Sequence, residues 1–202
     1  MSKQKRQQVR AGTNRHLRVV RAILVLAATL SVCFSASAAF AAQPKEHTLK
    51  VAYLYNFTKF VSWPADALPP SQGAFVIGVI GENPFGQTLN KLAAAKLAQK
   101  RPIAVRYFKS LADYKPCHML FVAASTPPDV RAAIIRQTRN QPVLVVGENV
   151  GYGVEGSTVN FVLLEDGSIK IEINIDAMNR RKMQANALLL KLATVVRDQG
   201  EE

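Results

Sequence analysis

Cysteine, histidine and tryptophan are scarce in this sequence: two, three and one among 202 residues. Cys33 falls in an N-terminal stretch read below as removable, which leaves Cys117 alone and excludes an intrachain disulfide framework. His47 and His118 are the only histidines beyond that stretch. No Cys-x-x-Cys or His-x-x-x-His spacing exists, and Cys117 and His118, as strand neighbours, point to opposite faces, so no metal site is expected. A G-x-S-x-G elbow is also missing, and no carboxylate pair stands in a glycosidase-like context. Gly81-x-x-x-x-Gly86-Gln87-Thr88 imitates a phosphate-binding loop but has Gln87 where the lysine belongs, which removes the charge that reaches the phosphates. No catalytic residue and no cofactor are therefore expected, and an enzyme is the least favoured class.

Acidic residues are missing altogether before Glu46, while Lys3, Lys5, Arg6, Arg10, Arg15, Arg18 and Arg21 crowd the same segment. The apolar run Ala22–Phe34 follows, too short to span a bilayer comfortably, and then the small-residue stretch Ser35–Ala42. Those three regions predict a secretory signal peptide over residues 1–41, cleaved after Ala41 at Ala39-Phe40-Ala41, and hence an exported protein; Ala36-Ser37-Ala38 would also serve, and an uncleaved anchor is the alternative. The formal charge of +12 shrinks accordingly. Without the seven leader cations, 19 basic face 14 acidic side chains, a net charge of +5, which removes the case for a nucleic-acid partner.

Residues 42–202 read as one domain with enough chain to bury a core unaided. His47–Val61 has helical periodicity, with Leu49, Ala52, Tyr53, Asn56 and Phe60 on one arc that Leu54, Phe57 and Val61 widen, and Pro64 ends it. Ala74–Ile80 is apolar without alternation, as a strand buried on both faces would be. A turn, Gly81–Gly86, leads to a helix over 85–97 and a strand over 103–108. Strand 118–124, a helix from Pro127–Asp129 to Arg139 and strand 142–146 repeat the unit. Val159–Leu164 and Ile169–Ile173 flank Asp166-Gly167, a hairpin signal. A last helix from Asn174 or Asp176 to about Arg197 has Leu188, Leu189, Leu192, Val195 and Val196 as its expected core stripe. The sum is an α/β fold, a mostly parallel sheet flanked by helices as in a Rossmann-like sandwich, with an antiparallel hairpin near one edge. Cys117 is expected to be a buried small residue, and Asn56 a structural tie inside a helix.

Lys50–Pro64, Ile77–Gly86, Cys117–Val122, Val159–Val162, Ile171–Asn174 and Leu189–Ala193 occur in an order that resembles the YfiR family of periplasmic regulators over nearly the whole exported chain. The resemblance implies a non-enzymatic protein that holds the sensor region of an inner-membrane signalling protein, a diguanylate cyclase in the best-known systems, in its inactive state. Cyclic di-GMP and biofilm formation would then be kept low. It further implies sequestration by an outer-membrane OmpA-like lipoprotein, and a homodimer. Members often carry disulfides, for which Cys117 has no partner, and Ala185-Asn186 stands where Ser-Ser is usual.

A repressor of this kind must bind one sensor conformation better than the other, which calls for an apolar patch. Phe161, Glu172 and Asn174 on the hairpin and before the last helix, or Tyr55 to Trp63 on the first helix, are the expected partner-binding residues. The rival reading is a periplasmic small-molecule module feeding a sensor kinase, with ligand at the turn marked by Gly81, Phe85 and Gly86.

Overall fold

The computed structural model describes residues 46–67 and 73–200; the leader and its boundary at Ala41 lie outside the described residues. Helix α1 covers residues 46–60 and passes into β1 (Val61–Ser62). Then come β2 (Phe75–Ile80), α2 (Thr88–Ala95), β3 (Leu97–Ala98), β4 (Arg101–Phe108), β5 (Met119–Val122), α3 (Pro128–Thr138) and β6 (Leu144–Gly147). The last part holds β7 (Val159–Leu163), β8 (Ile169–Asn174), α4 (Ile175–Arg180), β9 (Gln184–Ala185), α5 (Ala187–Leu192) and β10 (Thr194–Val196).

Eight strands form one sheet in the order β10-β8-β7-β6-β5-β2-β4-β3, and β1 pairs with β9 apart from it. Pairing is parallel across β4-β2-β5-β6-β7 and between β8 and β10. It is antiparallel in the β7–β8 hairpin and between β3 and β4. The expected mixed α/β sheet with a hairpin near one edge is what the chain forms. From β2 the chain steps outward to β4 and then returns to the other side as β5, so the winding reverses between β2 and β5. Open α/β sheets have a crevice at such a point, beyond the carboxyl ends of the strands.

All six residues of β2 are buried, because the sheet is covered on both faces. Phe75, Ile77, Val79, Met119, Phe121, Leu144 and Val146 face Val51, Leu54 and Phe57 of α1. Leu120, Val122, Val143 and Val145 pack with Ile134 and Ile135 of α3 and with Phe108 on the opposite side. Gly78 is needed for that second layer, since a Cβ there would stand 2.6 Å from the Phe108 ring.

Three sequence expectations need correction. The buried residues of α1 are Lys50, Val51, Leu54, Phe57 and Thr58, so Leu54 and Phe57 at the margin of the expected arc turn inward, whereas Leu49 and Ala52 from its middle are exposed and Tyr53, Asn56 and Phe60 half-buried. Residues 49–61 are apolar on most sides, so periodicity alone does not choose the face; the Phe57–Phe161 stack, with centroids 5.8 Å apart, marks the side that packs. The helix expected over 85–97 spans only Thr88–Ala95, because an Asn83 turn occupies its first residues and Leu97-Ala98 pairs with β4.

The single last helix does not form. Arg181 and Lys182 end α4, Lys182 with φ +55, and Gln184-Ala185 pairs with β1. Asn186 then caps the separate helix α5 by accepting a hydrogen bond from Leu189 N at 2.9 Å. The β-branched Thr194-Val195-Val196 runs beside β8 as the edge strand. Of the expected stripe only Leu189 is buried; Leu188, Leu192 and Val195 are exposed and Val196 is half-buried.

Candidate functional site

The edge built from α5 and β10 carries exposed apolar side chains. Leu188 and Leu192 lie one turn apart on α5, 52% and 71% exposed, because Leu189 takes the inward position. Val195 pairs in parallel register with Ile173, whose side chain lies in the α1-side core, so Val195 projects on that same face at the rim. Leu163 follows Phe161 at strand period two and shares the face, half exposed, but it pairs with Ile169 at the far end of β8 and so stands apart from Val195. Beyond β10 no further strand pairs among the described residues. A rim of aliphatic side chains beside an open strand edge is suited to protein recognition through strand addition or apolar docking.

Among the residues expected to bind a partner, Phe161 is buried against Tyr53 and Phe57. Trp63 is also interior, edge-on to Phe75, and its Nε1–H donates to the His118 carbonyl at 3.1 Å. Asn174 is wholly buried as the cap of α4: its Oδ1 accepts from Ala177 N, and its Nδ2 donates to the Gly153 carbonyl and to Asp198 Oδ1, each at 2.8 Å. Glu172 is half-buried and accepts from Asn160 Nδ2 at 3.1 Å. Tyr55 is half-buried on α1, with the Lys59 ammonium 4.4 Å from its ring centroid. The hairpin register places Glu172 and Asn174 on one face of the sheet and Phe161, opposite Ile171, on the other against α1, while Tyr55 and Trp63 belong to α1 and the loop after β1, so the expected residues do not form one site. Sequence reasoning assigned Leu188, Leu192 and Val195 to the core; the cap at Asn186 was the one local signal against a continuous helix.

The Gly81–Gly86 turn aims a side chain inward. Asn83 accepts from Phe85 N at 3.0 Å and donates to the Gly86 carbonyl, which drives Phe85 into the core, 4.7 Å from Phe121 between ring centroids. Gly81 has φ +91, and a Cβ there would stand 2.7 Å from Thr126 Oγ1. The Glu82 N–H is taken by Ser125 Oγ at 2.9 Å. Beside this turn lies a cavity of about 500 Å³ lined by Ile80, Gly81, Lys109, Ser110, Leu111 and Thr126 among others, at the reversal point of the sheet.

Titratable groups elsewhere are tied into structure. Burial, and then the charge of Arg101, lowers the His118 imidazole, whose Nδ1 accepts from Val76 N at 2.8 Å. Burial pushes the Cys117 thiol up to about 12, against the weaker pull of hydrogen bonds donated by Tyr114 and Gly78. Cys117 is half-buried, so the expectation of full burial holds only in part. Lys50 bridges Glu46 and Glu148 in the interior, joining α1 to the end of β6. Among the described residues, no group of three His, Cys, Asp or Glu side chains could hold a metal ion, and no helix is long and apolar enough to cross a membrane.

The family described as YfiR/HmsC-like matches residues 47–194, which takes in every element from α1 to the start of β10. No curated protein matches the chain.

Proposed function

The chain belongs to the YfiR/HmsC-like family, and we propose on that footing that it is an exported regulator, cleaved near Ala41, that binds the periplasmic sensor region of an inner-membrane diguanylate cyclase and holds it inactive. Cyclic di-GMP output and biofilm formation are kept low while the complex lasts. Family members are periplasmic regulators rather than enzymes, and the family match is the observation that carries the reading. The rim of Leu188, Leu192 and Val195 supports it with a surface where an apolar sensor face can dock. Repression requires only that this surface bind the inactive sensor conformation more tightly than the active one. Release through an outer-membrane OmpA-like lipoprotein, or through formation of a homodimer, would compete for the free protein.

A crosslink of the tagged protein in its native periplasm tests this. Capture of a membrane protein with a cytoplasmic diguanylate cyclase domain, and a rise in cyclic di-GMP on deletion, are the expected results. Capture of no membrane protein, under conditions where a control pair crosslinks, overturns the reading.

The cavity at the sheet reversal favours a second reading, a small-molecule module that feeds a sensor kinase. Capture of a kinase, together with ligand-induced thermal stabilisation of the isolated protein, would favour it over the first.

A further inference from the structure

A cavity of about 640 Å³ lies between α3, α4 and the segment after β10. Ala132, Ile135 and Val154 contribute apolar wall, and Arg136, Arg139 and Arg180 contribute guanidinium groups. Glu155, Asp176 and Asp198 are the carboxylates that line it. Two of these are engaged by arginines: Asp176 by Arg197 at 2.7 Å, and Asp198 by both terminal nitrogens of Arg180. Asn174 Nδ2 adds a third donor to Asp198, so this carboxylate sits in a three-donor cradle.

The cradle is built into the protein, whereas its occupant arrives on a surface segment. Asn174 is fully buried, and Arg181 behind it is 1% exposed, bonded only to the Gly156 and Ala177 carbonyls and to Thr138 Oγ1. The Nε–H groups of both Arg180 and Arg181 are buried without a partner. Arg136 has no ion-pair partner among the described residues. A buried guanidinium with neutral acceptors alone is costly, and Asp198 is the carboxylate that offsets the Arg180–Arg181 pair. Gln199 and Gly200 beyond it are exposed, and Gln199 N donates to the Val154 carbonyl at 3.0 Å.

We infer that Asn174 and Arg180 form a binding site for a small organic carboxylate, in which Asp198 is an intramolecular stand-in that the ligand displaces. The apolar wall selects an organic acid over an inorganic anion, and Arg136 is placed to meet a second carboxylate. Asp198 stands two residues after β10, so displacement would loosen the edge strand of the docking rim; that consequence, unlike the binding itself, rests on the regulatory reading.

Succinate binding to the purified exported chain, followed by calorimetry and thermal shift, tests the site without any partner protein. A tethered competitor acts at millimolar effective concentration or above, so Asp198→Ala should bind succinate about tenfold or more tighter than the parent. Asp198→Asn serves as the second variant if the alanine form does not fold, and the Arg180→Ala/Asp198→Ala double variant should lose the gain. Equal succinate affinity in parent and Asp198 variants overturns the inference, as does a response that neutral succinamide, or sulfate at matched ionic strength, reproduces.

Discussion

Lys50 Nζ stands 2.6 Å from Glu148 Oε2, a buried ion pair across 98 residues of sequence that fastens the first helix to the carboxyl end of β6. Glu148 also accepts from Ala124 N at 2.7 Å, so one carboxylate ties α1 to two adjacent strand ends. Lys50→Ala leaves that carboxylate, 7% exposed, without its cation. We expect a loss of about 3 kcal/mol in urea denaturation. A loss under about 1 kcal/mol would show that water reaches the site. Burial alone would lower the Lys50 ammonium, but the hydrogen bonds it donates to Glu148 and Glu46, with their charges, raise it overall. With the folded value above the unfolded one, this contribution is fully present below about pH 10.4 and is lost as the pH climbs through the folded value.

At the docking rim, Leu192→Asp should leave folding intact, since the side chain is 71% exposed, while partner capture falls about tenfold or more. Circular dichroism and the periplasmic crosslink read the two effects separately. Capture unchanged in a Leu188→Asp/Leu192→Asp chain would move the docking surface elsewhere.

Asp198 makes the segment after β10 sensitive to acid. Burial pushes its carboxyl upward, but hydrogen bonds from Arg180 and Asn174 outweigh this and hold it below the usual carboxylate range. A depressed folded value means stability that is present above the unfolded value, about 3.9, and lost as the pH falls through the folded one. The stability difference between the parent and Asp198→Asn should therefore be flat from pH 7 to 5 and shrink only below about pH 4. A difference that fades already near pH 6 would place the carboxylate outside the Arg180 cradle.

The raised Cys117 thiol should be slow toward a disulfide reagent. At pH 8 the folded protein should react at least about a hundredfold more slowly than the unfolded chain, because the thiolate is the reacting form. Similar rates in the two states would mean that the thiol is not desolvated by its neighbours.

How far the fold could be read in advance differs from element to element. The unbroken apolar run of β2, the Pro127-Pro128 start of α3 and the Asp166-Gly167 turn each carry a local signal that tertiary packing reinforces. Residues 174–197 carry a helical signal nearly throughout, and the sheet overrides it: β8 has a free edge that Thr194–Val196 fills, and β1 needs Gln184-Ala185. Phe161 and Trp63 looked like recognition aromatics for a related reason, since an aromatic on a strand or helix has the same sequence whether it meets solvent or Phe57 and Phe75. The arginine cradle gave no advance sign, because Asn174, Arg180 and Asp198 are spread over 25 residues and share no spacing rule.

From the residues alone came the α/β class and the strand–helix order, because both depend on short periods along the chain, while the family came from the resemblance of short motifs in a fixed order. Which face of α1 turns inward, where the last helix breaks, which leucines remain in water and which carboxylate fills the Arg180 cradle were settled only by the folded chain. Those choices compare alternatives of similar local energy, and the difference lies in partners brought from distant segments: Phe161 for α1, β8 for β10, and Asp198 for Asn174.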